Sequence, residues 1–200
     1  MIDGKSSGKK NIGAFTSLYP TPIVVCGTYD SEGKANLSTL AWAGVCCSVP
    51  PALQVSLRKS RHTYNAILER KSFTVNIPSS NRADQADFCG MVSGSKIDKF
   101  AAAKLTPKRG EFVDAPIVVE FPVCMECRLL HVLEIGSHDM FVGEIVASWV
   151  NEDCLEQDGS VNPSKVSPIA FAPGDGGYYT LGHSIGRSFD IGKTFTEGKE

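Results

Sequence analysis

Residues 34–63 read KANLSTLAWAGVCCSVPPALQVSLRKSRHT. The part LSTLAWAGVCCSV (37–49) has the length and flanks of a strand, yet small and hydroxylated residues fill it and Trp42 stands alone among alanines. A core strand normally carries Val, Ile or Phe. A strand with so little bulk leaves room beside it, so it reads as a wall facing a ligand. Two prolines open PPALQVSLRK, which favours a strand start over a helix. That strand ends in RKSRHT. In TYNAILERK (63–71) Tyr64, Ile67 and Leu68 then fall at helical spacing, with Thr63 expected as the N-cap.

Outward from this stretch, β signals dominate. Strands are expected in IVVCGTYD (23–30), SFTVNIP (72–78), APIVVEFPVCMECRLLHVLEIG (115–136) and DMFVGEIVASWVNE (139–152). GSHD joins the last two as a hairpin turn. PIAFAPGDGGYYTLG (168–182) closes the set around a Gly-rich turn. Helices are few: 63–71, SNRADQADFCGM (80–91) and SKIDKFAAAKL (95–105). Long strands with short helical insertions fit a mainly β barrel better than a sandwich with regular turns. There is no βαβ alternation and no G-x-G-x-x-G after a strand, which argues against a Rossmann nucleotide domain.

The 200 residues suggest one domain, at 15–200, behind a mobile polar tail at 1–14. The composition, 42% hydrophobic and 21% charged, is that of a globular protein with a real core. A net charge of -2 offers no basic field for nucleic acid. No apolar run reaches the roughly 18 residues of a membrane span, and MIDGKSSGKKNIGAF lacks the apolar region of a secretory signal. The seven cysteines, an odd number, lie mostly in apolar strand-like segments. They read as reduced, buried thiols in a reducing cytoplasm. Cys124 and Cys127 form a Cys-x-x-Cys, but in a strand they face opposite sides and no second pair has zinc spacing. No metal site is expected. Cys46 and Cys47 should likewise face opposite ways.

Two places carry chemistry. In RKSRHT the residues Arg58, Lys59, Ser60, Arg61 and Thr63 surround a helix start, where free N–H groups and a partial positive charge favour a phosphate. SGSKIDKF (93–100) repeats the theme: small residues allow close backbone approach, and Lys96 and Lys99 would share one helix face. With the hollow strand, this suits a ligand with a flat ring and an anionic tail. Ser38 and Thr39 could bond the ring's polar edge and Trp42 could cover it. Flavin mononucleotide fits that description better than a nicotinamide dinucleotide.

On these residues the chain resembles the flavin reductase family of FMN-binding split barrels, in particular the flavoredoxin-type members. The resemblance runs through YPTPIVVCGTYDSEGKANLSTLAWAGVCCSVPPALQVSLRKSRHTYNAI, SFTVNIPSSN, SGSKIDKF and HDMFVGEIVASWV, roughly residues 18–182. It implies a split β-barrel homodimer, Greek-key-like, with one non-covalent FMN per subunit. It implies that residues 36–42 (Asn36, Ser38, Thr39, Leu40, Ala41 and Trp42 among them) line the flavin ring, and that Arg58, Ser60 and Thr63 hold the phosphate. Asn76 and the 93–99 loop, with Ser93, Gly94 and Lys96, would complete the pocket. Lys99 would be the cation nearest the ring, His138 would lie near flavin and donor, and Phe171 would cover the ring. Where many members read Gly-Asp-His, this chain reads Ser137, His138, Asp139.

The expected activity is electron transfer through bound FMN, with Lys99 stabilising the reduced ring and His138 positioning the donor. The donor is NAD(P)H or a redox protein. An NAD(P)H-dependent flavin reductase, a non-catalytic split-barrel binding module and a Cys124/Cys127 dithiol protein are the other readings.

Overall fold

The computed structural model describes residues 8–195. In chain order the strands and helices are β1 (Thr21–Pro22), β2 (Val24–Tyr29), β3 (Ala35–Leu40), β4 (Ala43–Ser48), β5 (Pro51–Leu57), α1 (His62–Arg70), β6 (Ser72–Ile77), α2 (Ala83–Met91), α3 (Lys99–Ala103), β7 (Pro107–Arg109), β8 (Pro116–Val118), β9 (Val123–Glu134), β10 (Asp139–Val150), α4 (Pro163–Val166), β11 (Ile169–Ala172) and β12 (Gly177–Thr180). A seven-stranded antiparallel sheet has the order β3-β2-β6-β9-β10-β5-β4.

That order explains the opening stretch. Segment 37–49 is not one strand but two, and these are the opposite edges of the sheet. Only Ala41 and Trp42 connect Leu40 to Ala43. Three residue steps span at most about 10 Å, so the sheet must curl until its edges meet. Ser56 N–H donates to the Trp42 carbonyl at 2.8 Å and pins the seam. β3 and β4 do not pair with each other, which leaves the barrel split along that line.

The pleat sorts the core into two clusters. Val24 and Cys26 on β2, Phe73 and Val75 on β6, Cys127 on β9 and Phe141 on β10 meet Leu53, Val55 and Leu57 inside the barrel, with Tyr64 and Ile67 of α1. The other face of β2 and β3 carries Val25 and Leu37, packed with α2, α3, β8 and β11 through Cys89, Phe100, Val118 and Ile169. Cys124 belongs to this outer cluster and Cys127 to the inner one, so the Cys-x-x-Cys pair is split across the sheet.

Several local expectations are corrected. α1 starts at His62 behind Arg61, not Thr63; Thr63 is buried inside the first turn, where its hydroxyl accepts from Asn36 Nδ2 at 2.9 Å. The 95–105 helix shrinks to α3, capped by Asp98 accepting from Ala101 N–H. Lys96 therefore precedes the helix and shares no face with Lys99. The long 115–136 strand is two, β8 and β9, broken where Phe121 turns into the outer core ahead of Pro122. Cys46 and Cys47 are exposed, not buried, because β4 is an edge strand with a bulge between Val45 and Cys47. The other five thiols are buried. Of the expected tail, residues 1–7 lie outside the described residues, while 8–14 are exposed and outside any strand or helix. No helix among the described residues is long and apolar enough to cross a membrane.

Candidate functional site

Two cavities adjoin at the end of β5. The first, about 310 Å³, is walled by Thr39, Leu40, Ala41 and Trp42 at the seam, with Arg58, Arg61, His138 and Phe171 around it. The second, about 340 Å³, lies between the start of α1 and the 92–94 loop. It is lined by Ser38, Arg58, Ser60, Arg61, His62, Thr63, Ser93, Gly94 and Lys99. Arg58 and Arg61 belong to both, so the two form one continuous site with a flat end and a cationic end.

The cationic end is built by three elements. At the start of α1 the His62 and Thr63 N–H groups precede the first helical bond, while Tyr64 N–H donates to the Arg61 carbonyl at 3.0 Å. Arg61 is held by the Gly90 carbonyl through Nη1 at 3.0 Å, and His62 Nε2 lies 3.3 Å from Asp30 Oδ2. From α3, Lys99 runs under β3. Its Nζ donates to the Leu37 carbonyl at 2.6 Å and the Cys89 carbonyl at 2.8 Å. Lys99 is only 3% exposed and has no carboxylate partner among the described residues. Burial, offset in part by Cys89 and reinforced by the positive Arg61, pulls its pKa down to about 8. A buried cation with two carbonyls and no anion is electrostatically incomplete. Ser38, 1% exposed, adds to the same cavity a hydroxyl with no hydrogen-bond partner among the described residues. The close approach of the 92–94 loop needs glycine: a Cβ on Gly94 would collide with Asn36 Oδ1 and lie 2.6 Å from Asn36 Cγ.

At the flat end, His138 tops the turn between β9 and β10. Burial, then the charges of Arg58 and Arg61, hold its imidazole below the usual histidine pKa. Ser137 Oγ lies 2.9 Å from Nδ1, leaving Nε2 for a ligand. The turn is anchored by Asp139, 1% exposed, which accepts from the Tyr64 hydroxyl at 2.6 Å and faces Lys59 Nζ at 3.4 Å. The Tyr64 bond, then Lys59, keep this carboxyl below its ordinary pKa despite burial. Lys59 also pairs with Glu134 at 3.0 Å and is absent from both cavity walls.

The structure thus brings Ser38, Thr39, Leu40, Ala41, Trp42, Arg58, Ser60, Thr63, Ser93, Gly94, Lys99, His138 and Phe171 to one site. Three expected residues are placed otherwise. Asn76 sits in the outer core, its amide spent on the Val25 carbonyl, Thr74 Oγ1 and Val118 N–H. Lys96 lines neither cavity. Asn36 stands behind the wall, bonded to Thr63. Lys99 belongs to the cationic cavity, not to the one containing Trp42. His62, Thr16 and Gly174 join the lining without having been singled out. His62 was readable from its place inside RKSRHT; the other two arrive by long-range packing.

Comparison with known proteins finds relatives in sequence and in fold. The family model described as "Flavin reductase like domain" matches residues 16–178. The structure of a flavoredoxin from Desulfovibrio vulgaris (Miyazaki F) superposes with a TM-score of 0.89 at 47% identity, over 92% of this chain and 100% of that one. A protein of Aeropyrum pernix is 34% identical over 138 residues; the match spans 68% of this chain and about half, 52%, of that protein. The FMN reductase (NADH) RutF of Pantoea ananatis is 29% identical over 118 residues, 56% of this chain and 58% of RutF. The chain belongs to the flavin reductase like domain family.

Proposed function

We propose that the chain binds FMN non-covalently, with the phosphate in the cationic cavity and the ring against the seam, and that it transfers electrons in the manner of flavoredoxins and flavin reductases. The observation that carries this reading is Lys99, a buried cation that among the described residues has no carboxylate partner, beside the Ser38 hydroxyl, likewise without a partner among them, on a cavity shared with Arg58 and Arg61. A phosphate would supply the missing anion and accept from the hydroxyls and from the His62 and Thr63 N–H groups at the start of α1.

Bound FMN would supply hydride and electron chemistry at its ring. The chain's own residues do the rest. Arg58 and Arg61, shared by both cavities, provide positive potential along the ligand. His138, its pKa lowered, is neutral at pH 7 and offers Nε2 to a ligand or donor. Trp42 and Phe171 exclude water from the flat end. The reductant is NAD(P)H or a redox protein. RutF, whose name gives NADH, favours a nicotinamide donor. We also expect a homodimer, since Val45 and Val49 on and beside the β4 edge are 77% and 88% exposed, and a cytoplasmic location, where seven free thiols stay reduced.

An absorbance spectrum of the purified protein, followed by anaerobic NADH and NADPH, tests the reading. Flavin bands that bleach with either nucleotide support a nicotinamide donor. Bands that bleach only with a reduced redox protein leave the chain a carrier. No flavin bands and no FMN uptake would overturn the proposal.

A further inference from the structure

Asn36 is 3% exposed and lines neither cavity. It stands on β3 two residues before Ser38, so both side chains leave the strand on the same face. Ser38 reaches the cationic cavity, whereas Asn36 meets the two elements that frame it. On one side its Nδ2 donates to Thr63 Oγ1 of α1 at 2.9 Å. On the other its carboxamide occupies the space a Cβ on Gly94 would need, 2.6 Å from Asn36 Cγ.

The bond to Thr63 decides what that hydroxyl can do. Thr63 is buried and lines the cationic cavity. A hydroxyl has one proton and two lone pairs. One lone pair is taken by Asn36, so the proton points away from it, and it donates to no group among the described residues. The cavity is the direction left open. A hydroxyl free to turn would present a lone pair there as readily as a proton; one held by Asn36 presents the proton. The role requires an amide. Aspartate has nearly the same shape but, ionised, only accepts, so it would draw the Thr63 proton to itself and set a negative charge behind the cavity.

We propose that Asn36 is a positioning residue for the cofactor's phosphate: by donating to Thr63 it holds that hydroxyl as a donor toward the anion, and by its bulk it sets how closely the 92–94 loop approaches. Asn36 itself touches no ligand. The inference rests on the reading that the phosphate of FMN occupies the cationic cavity.

The experiment titrates FMN and riboflavin by fluorescence into the full chain, Asn36→Asp, Asn36→Ala, Thr63→Val and the double variant Asn36→Ala with Thr63→Val. Asn36→Asp should weaken FMN roughly 100-fold, the upper range for losing a hydrogen bond to a charged group, with riboflavin unchanged. Asn36→Ala should weaken FMN about tenfold in the parent chain and leave it unchanged on the Thr63→Val background, because the two residues act as one unit. A merely structural role would weaken both ligands together. Parent-like FMN affinity in Asn36→Asp, equal losses for FMN and riboflavin, or additive losses in the double variant would each overturn the proposal. If the substitutions at position 36 prevent folding, the side-chain amide protons of Asn36 in the parent chain decide by NMR. They should shift when FMN binds, as the phosphate polarises the chain of hydrogen bonds, and not when riboflavin binds; a shift with both or with neither overturns the proposal. A parent chain that binds the two ligands alike fails the cofactor reading itself, and the inference falls with it.

Discussion

At the residue scale, Lys99 is the most exposed to test. With its pKa near 8 in the free protein, a bound phosphate raises that value by adding the missing anion. FMN affinity should then be steady between about pH 7 and 8 and fall as pH rises through 8. The phosphate is fully ionised above about pH 7, so the fall belongs to the protein. Lys99→Met should cost roughly 10- to 100-fold in affinity, the worth of a charged hydrogen bond, and flatten the pH profile. Fluorescence titration with FMN across pH 6–10 measures both. Folding runs the other way. Because the unfolded lysine holds its proton to about pH 10.4, the flavin-free fold gains stability as pH rises between 8 and that value. Ala41 tests the wall: Ala41→Leu adds bulk to a half-buried cavity residue and should weaken FMN with little loss of fold. Unfolding with unchanged FMN affinity would contradict the wall.

At the scale of elements, two turns hold the site. The β9–β10 turn depends on the buried Asp139, which has Tyr64 as its closest donor. Tyr64→Phe should cost about 1.5–3 kcal/mol, the range for a hydrogen bond to a charged group. It should also move acid unfolding to higher pH, since a carboxyl with a lowered folded pKa stabilises above its unfolded value and loses that contribution as pH falls. Urea melts at several pH values measure both. The 92–94 loop depends on Gly94, and Gly94→Ala should displace it from Asn36 and weaken FMN while leaving the barrel's melting temperature nearly unchanged. The strands of the barrel were legible because period-two alternation and turn residues are local signals: β2, β5, β6 and β10 stand where the pattern put them. The break at Ala41 and Trp42 was not, because small residues read the same whether they continue a strand or let two edges meet. The cationic loop was legible as a cluster of charges. The inward turn of Lys99 was not, since it depends on carbonyls of β3 and α2 that sequence spacing does not bring together. Asn76 entered the expected pocket only through the family resemblance; its partners on β2 and β8 lie 51 and 42 residues away.

At the scale of the whole molecule, closure of the sheet makes the site. A two-residue link between the edges draws the end of β5, the start of α1 and the β9–β10 turn to one rim. The cysteines follow the same geometry. Burial raises Cys89 to about 11 and Cys124 and Cys127 to about 12, so thiol reagents should label Cys46 and Cys47 and spare the buried five in the native state. Labelling counted by mass spectrometry checks this, and fast reaction at Cys124 or Cys127 would revive a dithiol role.

The central claim is that the cationic cavity holds the phosphate of a flavin whose ring lies at the seam. Parallel titrations of FMN and riboflavin at pH 7 test it most directly, because the two ligands differ only in that phosphate. The account predicts FMN binding at least ~100-fold more tightly, as several charge-assisted hydrogen bonds are lost together. Equal affinities, or no binding of either, would contradict it.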